Sequence, residues 1–200
     1  MSFRKTLAIF DFDGTITVHD TLLEFIRFYS GTFKFFIGFM LATPVIVLSK
    51  LKVVPNWRAK ETVLTWFFKN ESVDAFNTKG KYFWTTKTPP VIRPKALQEI
   101  NQYLQSGARV IVVSASAENW VKPWCDAVGV ECIATRLETV SGTLTGKIAG
   151  KNCYGPEKVQ RIKETLDLRE YQHIVVYGDS AGDREMLALG NEKYYKPFRG

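Results

Sequence analysis

Two hundred residues are enough for one well-buried domain, or for a domain that carries a smaller inserted one. With 46% apolar and 24% charged residues, and no internal repeat or low-complexity tract, the composition excludes a disordered chain. The formal net charge of +7 points to an anionic partner, while the lack of any recognised binding motif argues against nucleic acid.

The first apolar run, Leu7 to Phe10, reads as a buried strand that stops at Asp11 and Asp13. Alternation along an extended backbone places both carboxylates on one side, where they repel unless a cation or a proton neutralises them. Gly14 follows, where the chain must turn. An Asp-x-Asp-Gly turn can simply end a strand, but it also suits a metal-assisted site at a sheet's carboxyl edge. Because Asp11 cuts the apolar run short, the segment does not read as a secretory signal. The three cysteines, Cys125, Cys132 and Cys153, are odd in number and lack a Cys-x-x-Cys spacing, as expected of reduced thiols in a cytoplasmic protein.

From Thr17 to Thr88 the character changes. This stretch holds 15 of the 27 aromatic residues and ten Lys or Arg against five Asp or Glu. Asp20 or Thr21 can cap a helix with Leu22, Phe25, Ile26 and Tyr29 on one face, ending near Gly31. The apolar run Phe35–Leu48 follows, flanked by Lys34, Lys50 and Lys52. With Thr43 and Pro44 inside, it is short for a membrane span. It reads as a buried helix, or alternatively as an interfacial one giving peripheral membrane contact through 33–52 on the inner face of the membrane. Two more helices fit Arg58–Lys69 and Val73–Trp84, completing a helical cap over 17–88.

The rest, 89–200, alternates strand and helix and joins 1–16 as one α/β core, a Rossmann-like parallel sheet. Pro94 opens a helix that Gly107 ends, and Val110–Val113 is a continuous apolar strand running into Ser114-Ala-Ser116. A helix at Asn119–Val128, a short strand near Cys132–Ala134 and a hairpin over Leu137–Ile148 on the sheet's margin come next. Gly155-Pro156 opens another helix. His173–Tyr177 is a buried strand ending in Gly178-Asp-Ser-Ala-Gly-Asp183, before a last helix to Gly190 and an edge strand at Lys193–Tyr195. Ligands of open parallel sheets bind at the carboxyl ends of strands, so Asp11, Asp13, Ser114, Asp179 and Asp183 can converge. Four carboxylates in one place demand a cation, and an oxygen-only donor set favours Mg2+.

Asp11-Phe-Asp-Gly-Thr15, Ser114 after its strand, Lys158 in Gly155-Pro-Glu-Lys-Val-Gln-Arg161, and Gly178–Asp183 occur in the order of the four motifs of haloacid dehalogenase-like hydrolases, which this chain resembles. The cap placed directly after the first motif and Gly142-Thr-Leu-Thr-Gly146 are similar to the phosphoserine phosphatase-like branch. The apolar cap segment and the Gly-Pro-Glu-Lys-Val run also resemble a bacterial phosphatidylglycerophosphate phosphatase of that branch.

The resemblance implies Mg2+-dependent hydrolysis of a phosphomonoester. Asp11 would be the nucleophile and Asp13 the acid and base. Ser114 and Lys158 would hold the phosphate. Asp11, Asp179 and the Asp13 carbonyl would ligate the metal, with Asp183 orienting its shell. Asp20 and Arg58 would read the substrate, a small phosphomonoester or a phospholipid head group, although Asp20 serves equally as an N-cap. Asp-Gly-Thr and Ser-Ala-Ser depart from the Asp-Ser-Thr and Ser-Gly-Gly of many phosphoserine phosphatases, which weakens the case for phosphoserine. A non-catalytic anion-binding module would require a defective motif set, and the set is intact.

Overall fold

The computed structural model describes residues 5–199, apart from the side chains of 87–90; residues 1–4 and 200 of the expected core lie outside the description. In chain order the elements are β1 (Thr6–Phe10), α1 (Thr21–Lys50), α2 (Asn56–Phe68), α3 (Val73–Val91), α4 (Pro94–Gln105), β2 (Arg109–Ala117) and α5 (Glu118–Val128). Then come β3 (Glu131–Thr135), β4 (Leu137–Val140), β5 (Thr143–Ile148), α6 (Pro156–Thr165), β6 (His173–Gly178), α7 (Arg184–Leu187) and β7 (Glu192–Tyr195).

Five strands form one parallel sheet in the order β3-β2-β1-β6-β7, with β1 at its centre. Leu7 to Phe10 have no exposed surface, because helices cover both sides of the strand. The register puts Phe10 beside Val112 of β2 and Tyr177 of β6. The residues just past this row therefore lie at one edge of the sheet, Asp11 and Asp179 beyond their strands and Ser114 still paired with Ala134 of β3, and this brings the three together from distant parts of the sequence. Phe10 also stacks on Tyr177 at 4.3 Å between ring centroids, so the row is packed as well as hydrogen-bonded.

The chain leaves this core and returns to it side by side. Thr17 and Ile92 form an isolated antiparallel bridge, and Val18 N donates to the Val91 carbonyl while Arg93 N donates to that of Ile16. Between these crossings lie α1, α2 and α3, packed around Phe25. Its ring meets Phe68, Phe76 and Phe83 and stacks on Trp120 of α5 at 4.8 Å. The aromatic wealth of this segment thus builds a core that it shares with the sheet's helices.

Four local expectations change. The break at Gly31 is real, with φ 78° and ψ 163°, but helix resumes at once and reaches Lys50, with Pro44 inside it. Helix α3 runs past Trp84 to Val91. The hairpin β4-β5 does not extend the main sheet; it is a separate two-stranded sheet. It pairs instead with the loop after α2, where Ser72 bridges Thr143 and Asn70 N donates to the Leu144 carbonyl. Its apolar residues Leu137, Leu144 and Ile148 are buried in the same cluster as Val63 and Phe67, and the cap is the surface that covers them. The expected last helix is also shorter: Ser180 caps a single tight turn that leads into α7. All three cysteines are free thiols.

Candidate active site

Asp11 is the first residue beyond β1 and is almost completely buried. Each of its oxygens is held. Lys158 of α6 donates to Oδ1 at 2.6 Å, and Thr15 donates to Oδ2 at 2.9 Å. Burial, opposed chiefly by Lys158 and supported by Asp183, raises the Asp11 carboxyl to about 7.

Lys158 is itself 1% exposed and is satisfied three times, by Asp11, by the Val113 carbonyl at 2.8 Å and by Asp183 at 2.7 Å. Burial alone would lower its pKa, but the two carboxylates outweigh that and raise it, so the lysine stays charged. Asp183 completes the pair. Its Oδ2 accepts from Ser180 N at 2.9 Å and Ser180 Oγ at 2.8 Å, as part of the turn that Ser180 caps. Burial pushes its carboxyl up, yet Lys158 and these donors hold it below the usual range.

Asp13 is fixed by the cap. Its Oδ1 accepts from Thr21 N at 2.7 Å and Thr21 Oγ at 2.6 Å, the first residue of α1, and its Oδ2 accepts from Ser114 Oγ at 3.2 Å. Trp120 Nε1 donates to Thr21 Oγ at 3.1 Å, so the α1 N-terminus is locked to α5 while it positions Asp13. Ser114, fully buried, also accepts from Ser116 N at 2.9 Å. It sits beneath Asp13 and spends its donor there.

Asp179 sits across the gap, its carboxyl raised by burial and by Asp183. Oxygens of Asp11, Asp179 and Asp183 lie within 4.8 Å of one another, an all-oxygen donor set of the kind Mg2+ takes. Gly14 makes the cradle possible. It adopts φ +81°, and a Cβ there would collide with the Asp179 carboxylate. Above these groups opens a cavity of about 380 Å³.

Two expected substrate readers fare differently. Asp20 is the N-cap of α1, accepting from Leu22 N at 2.8 Å, and it also lines the mouth of the site. Arg58 is not brought to the site; it lies on the outer surface of α2 with its guanidinium 5.3 Å from the Trp57 ring. Residues two apart on a helix face different ways, and the cation that turns inward is Lys60. Its ammonium donates to the Ala115 carbonyl and to Asn152 Oδ1 at 2.9 Å, beside Asp13 and Asp20 in a second, adjoining cavity. Burial pulls the Lys60 pKa down to about 8, against the attraction of Asp13 and Asp20. Lys60 was visible as a lysine on the same helical face as Val63, Leu64 and Phe67, which are buried. Arg199, 2.6 Å from Asp179 Oδ2, gave no sequence signal, because it lies beyond every motif.

Residues 8–188 match the family model described as haloacid dehalogenase-like hydrolase. The chain belongs to that family. A relative named Protein CicA, from Caulobacter vibrioides, is 31% identical over the whole chain and 90% of its own length. A solved structure from Bordetella pertussis, described as of unknown function, superposes with TM-score 0.81 at 21% identity, covering 94% of this chain and 87% of that one. A phosphoserine phosphatase described as a phospho-aspartyl intermediate analogue superposes with TM-score 0.63 at 20% identity, covering 95% and 85%. At such identities the structural likeness speaks for the fold. The residues around Asp11 must carry the chemistry of this hydrolase.

Proposed function

We propose that the protein is a phosphatase that hydrolyses a phosphomonoester through an aspartyl-phosphate on Asp11. The observation that carries this reading is Asp11 itself, a buried carboxylate at the end of the central strand, with Lys158 on one oxygen and acidic metal donors across the gap. Asp11, Asp179 and the backbone carbonyl of Asp13 would hold Mg2+ with Asp183 beside them, and the ion would offset charge as an anionic phosphate approaches a carboxylate.

The steps are those of two successive displacements. An Asp11 oxygen bonds to phosphorus as the bond from phosphorus to the ester oxygen breaks. Asp13, protonated, gives its proton to the departing alkoxide. It then takes a proton from water, whose oxygen attacks phosphorus and releases inorganic phosphate with Asp11 restored. Thr21 and Ser114 keep the Asp13 carboxyl aimed for both transfers. Lys158 faces the charge that develops near Asp11 without needing to move.

The leaving alcohol extends toward the second cavity, of about 330 Å³, whose lining combines the charged Asp13, Lys50 and Lys60 with the apolar Leu22, Phe39, Ile46 and Val63. Apolar side chains among the charged ones favour an alcohol that carries an apolar portion, such as a lipid, over a small amino acid. The test is release of phosphate from an aryl phosphate by purified protein, abolished by a chelator and restored by Mg2+. A chelator-insensitive rate would refute the reading.

Lys60 gives this cavity a pH dependence. It carries its charge below about 8 and loses it above, so affinity for an anionic substrate should fall as pH rises through 8. KM should climb by roughly tenfold between pH 7 and 9.5 with kcat changing less. Lys60→Arg, whose guanidinium keeps its charge, should flatten the profile. An unchanged slope in that variant would exclude Lys60 from binding.

A further inference from the structure

The part of α1 that follows Gly31, residues 32–50, is apolar on opposite faces. Its inner face carries Gly38, Phe39, Ala42 and Ile46 against α2; a Cβ on Gly38 would run into the rings of Trp66 and Phe67, and Phe39 packs on Phe67 at 5.7 Å. Its outer face exposes Phe33 (79%), Phe36 (64%), Met40 (67%) and Val47 (47%), and the stripe continues to Leu51 (67%) just beyond the helix. These positions recur at intervals of three, four and seven, so they form one ridge down the helix. From 32 to 55 the only charged residues are Lys34, Lys50 and Lys52, and none is acidic.

We infer that this ridge docks the protein on an anionic lipid bilayer, the helix lying in the plane of the interface. By length and apolarity α1 could cross a membrane, but its anchoring rules that arrangement out. Tyr29, just before the break, donates to Glu71 at 2.5 Å, and at the other end Ser49 and Lys50 line the cavity beside the active site. Both ends are thus tied to the same body, and a spanning helix would need them on opposite sides of the bilayer. What remains is a long apolar ridge rimmed by lysines, which matches acyl chains under anionic head groups. A protein partner would be expected to require hydrogen-bonding groups across the surface, and among 33–48 only Lys34 and Thr43 carry a polar side chain, the Thr43 hydroxyl already donating to the Phe39 carbonyl.

The docking is distinct from the hydrolytic reading, and its test is independent of it. The full-length protein should sediment with vesicles of phosphatidylcholine and phosphatidylglycerol, about tenfold less with pure phosphatidylcholine. The double variant Phe36→Ser, Met40→Ser should lose binding to the anionic vesicles by roughly tenfold or more. It should keep the circular dichroism and the aryl phosphate turnover of the parent, since neither residue faces the catalytic cavities. Failure of the parent to bind anionic vesicles overturns the proposal. So does equal binding by the variant, or a parent dimer that the variant abolishes without any lipid binding, which would assign the ridge to a second copy of the chain. If aryl phosphate turnover is absent from both proteins, the hydrolytic reading fails while the vesicle result still stands.

Discussion

Replacing Asp11 with Asn is expected to reduce phosphate release by about 10⁴-fold or more, with little change in melting temperature. The amide keeps the shape of the side chain but is a far poorer nucleophile toward phosphorus. Lys158 would still hold the Asp183 carboxylate and the Val113 carbonyl, so the buried cluster keeps its organising cation. Activity assays and thermal unfolding on the same preparation check this. A variant that folds and turns over at more than a tenth of the parent rate would remove Asp11 from the mechanism.

The second large effect is expected at Lys158, where activity and stability should fall together. Lys158→Met leaves two nearly dry carboxylates, Asp11 and Asp183, facing each other with no cation between them. Breaking a buried pair in this way costs about 3–5 kcal/mol, which for a chain of this size lowers the melting temperature by about 10 °C. Phosphate release should fall by roughly 10³-fold, because a fixed charge near the reacting phosphorus is gone. Adding Asp183→Asn should recover part of the melting temperature, since one of the stranded charges disappears, but none of the activity. If the second substitution restores no stability, Lys158 is not acting as the counter-ion of that pair. Thermal scans of the parent, both single variants and the double variant form the required cycle.

How much of this was legible before folding depends on what each residue answers to. Asp11, Ser114 and Asp179 were readable because each comes just after an apolar run, and a parallel sheet sends the carboxyl ends of such runs to one edge. Lys158 followed from its motif, yet its threefold satisfaction did not, since Val113 and Asp183 reach it only through the fold. Arg58 was expected at the site and Lys60 was not; helical phase decides the outcome, since a shift of two positions reverses which side chain faces the site. The hairpin is legible from its alternation, but its neighbour, the loop after α2 and not the main sheet, is not, because alternation reveals an apolar face and not what covers it. The apolar stretch after Gly31 was ambiguous for the same reason: apolar residues all round a helix leave burial or membrane contact open, and only packing on α2 separates the inner face from the ridge.

The side-by-side crossing at Thr17 and Ile92 has a bearing on how this protein can change. Because the intervening segment starts and ends at neighbouring points, closing it adds little entropic cost, and that cost grows only slowly with its length. Segments inserted at such a junction can be lengthened, shortened or exchanged while the sheet edge stays intact. Thr21 marks the limit of that freedom, since it holds Asp13 from the first turn of the insert. A transplanted segment should therefore work when it brings a hydroxyl residue to that turn, whatever alcohol its own lining is shaped to admit.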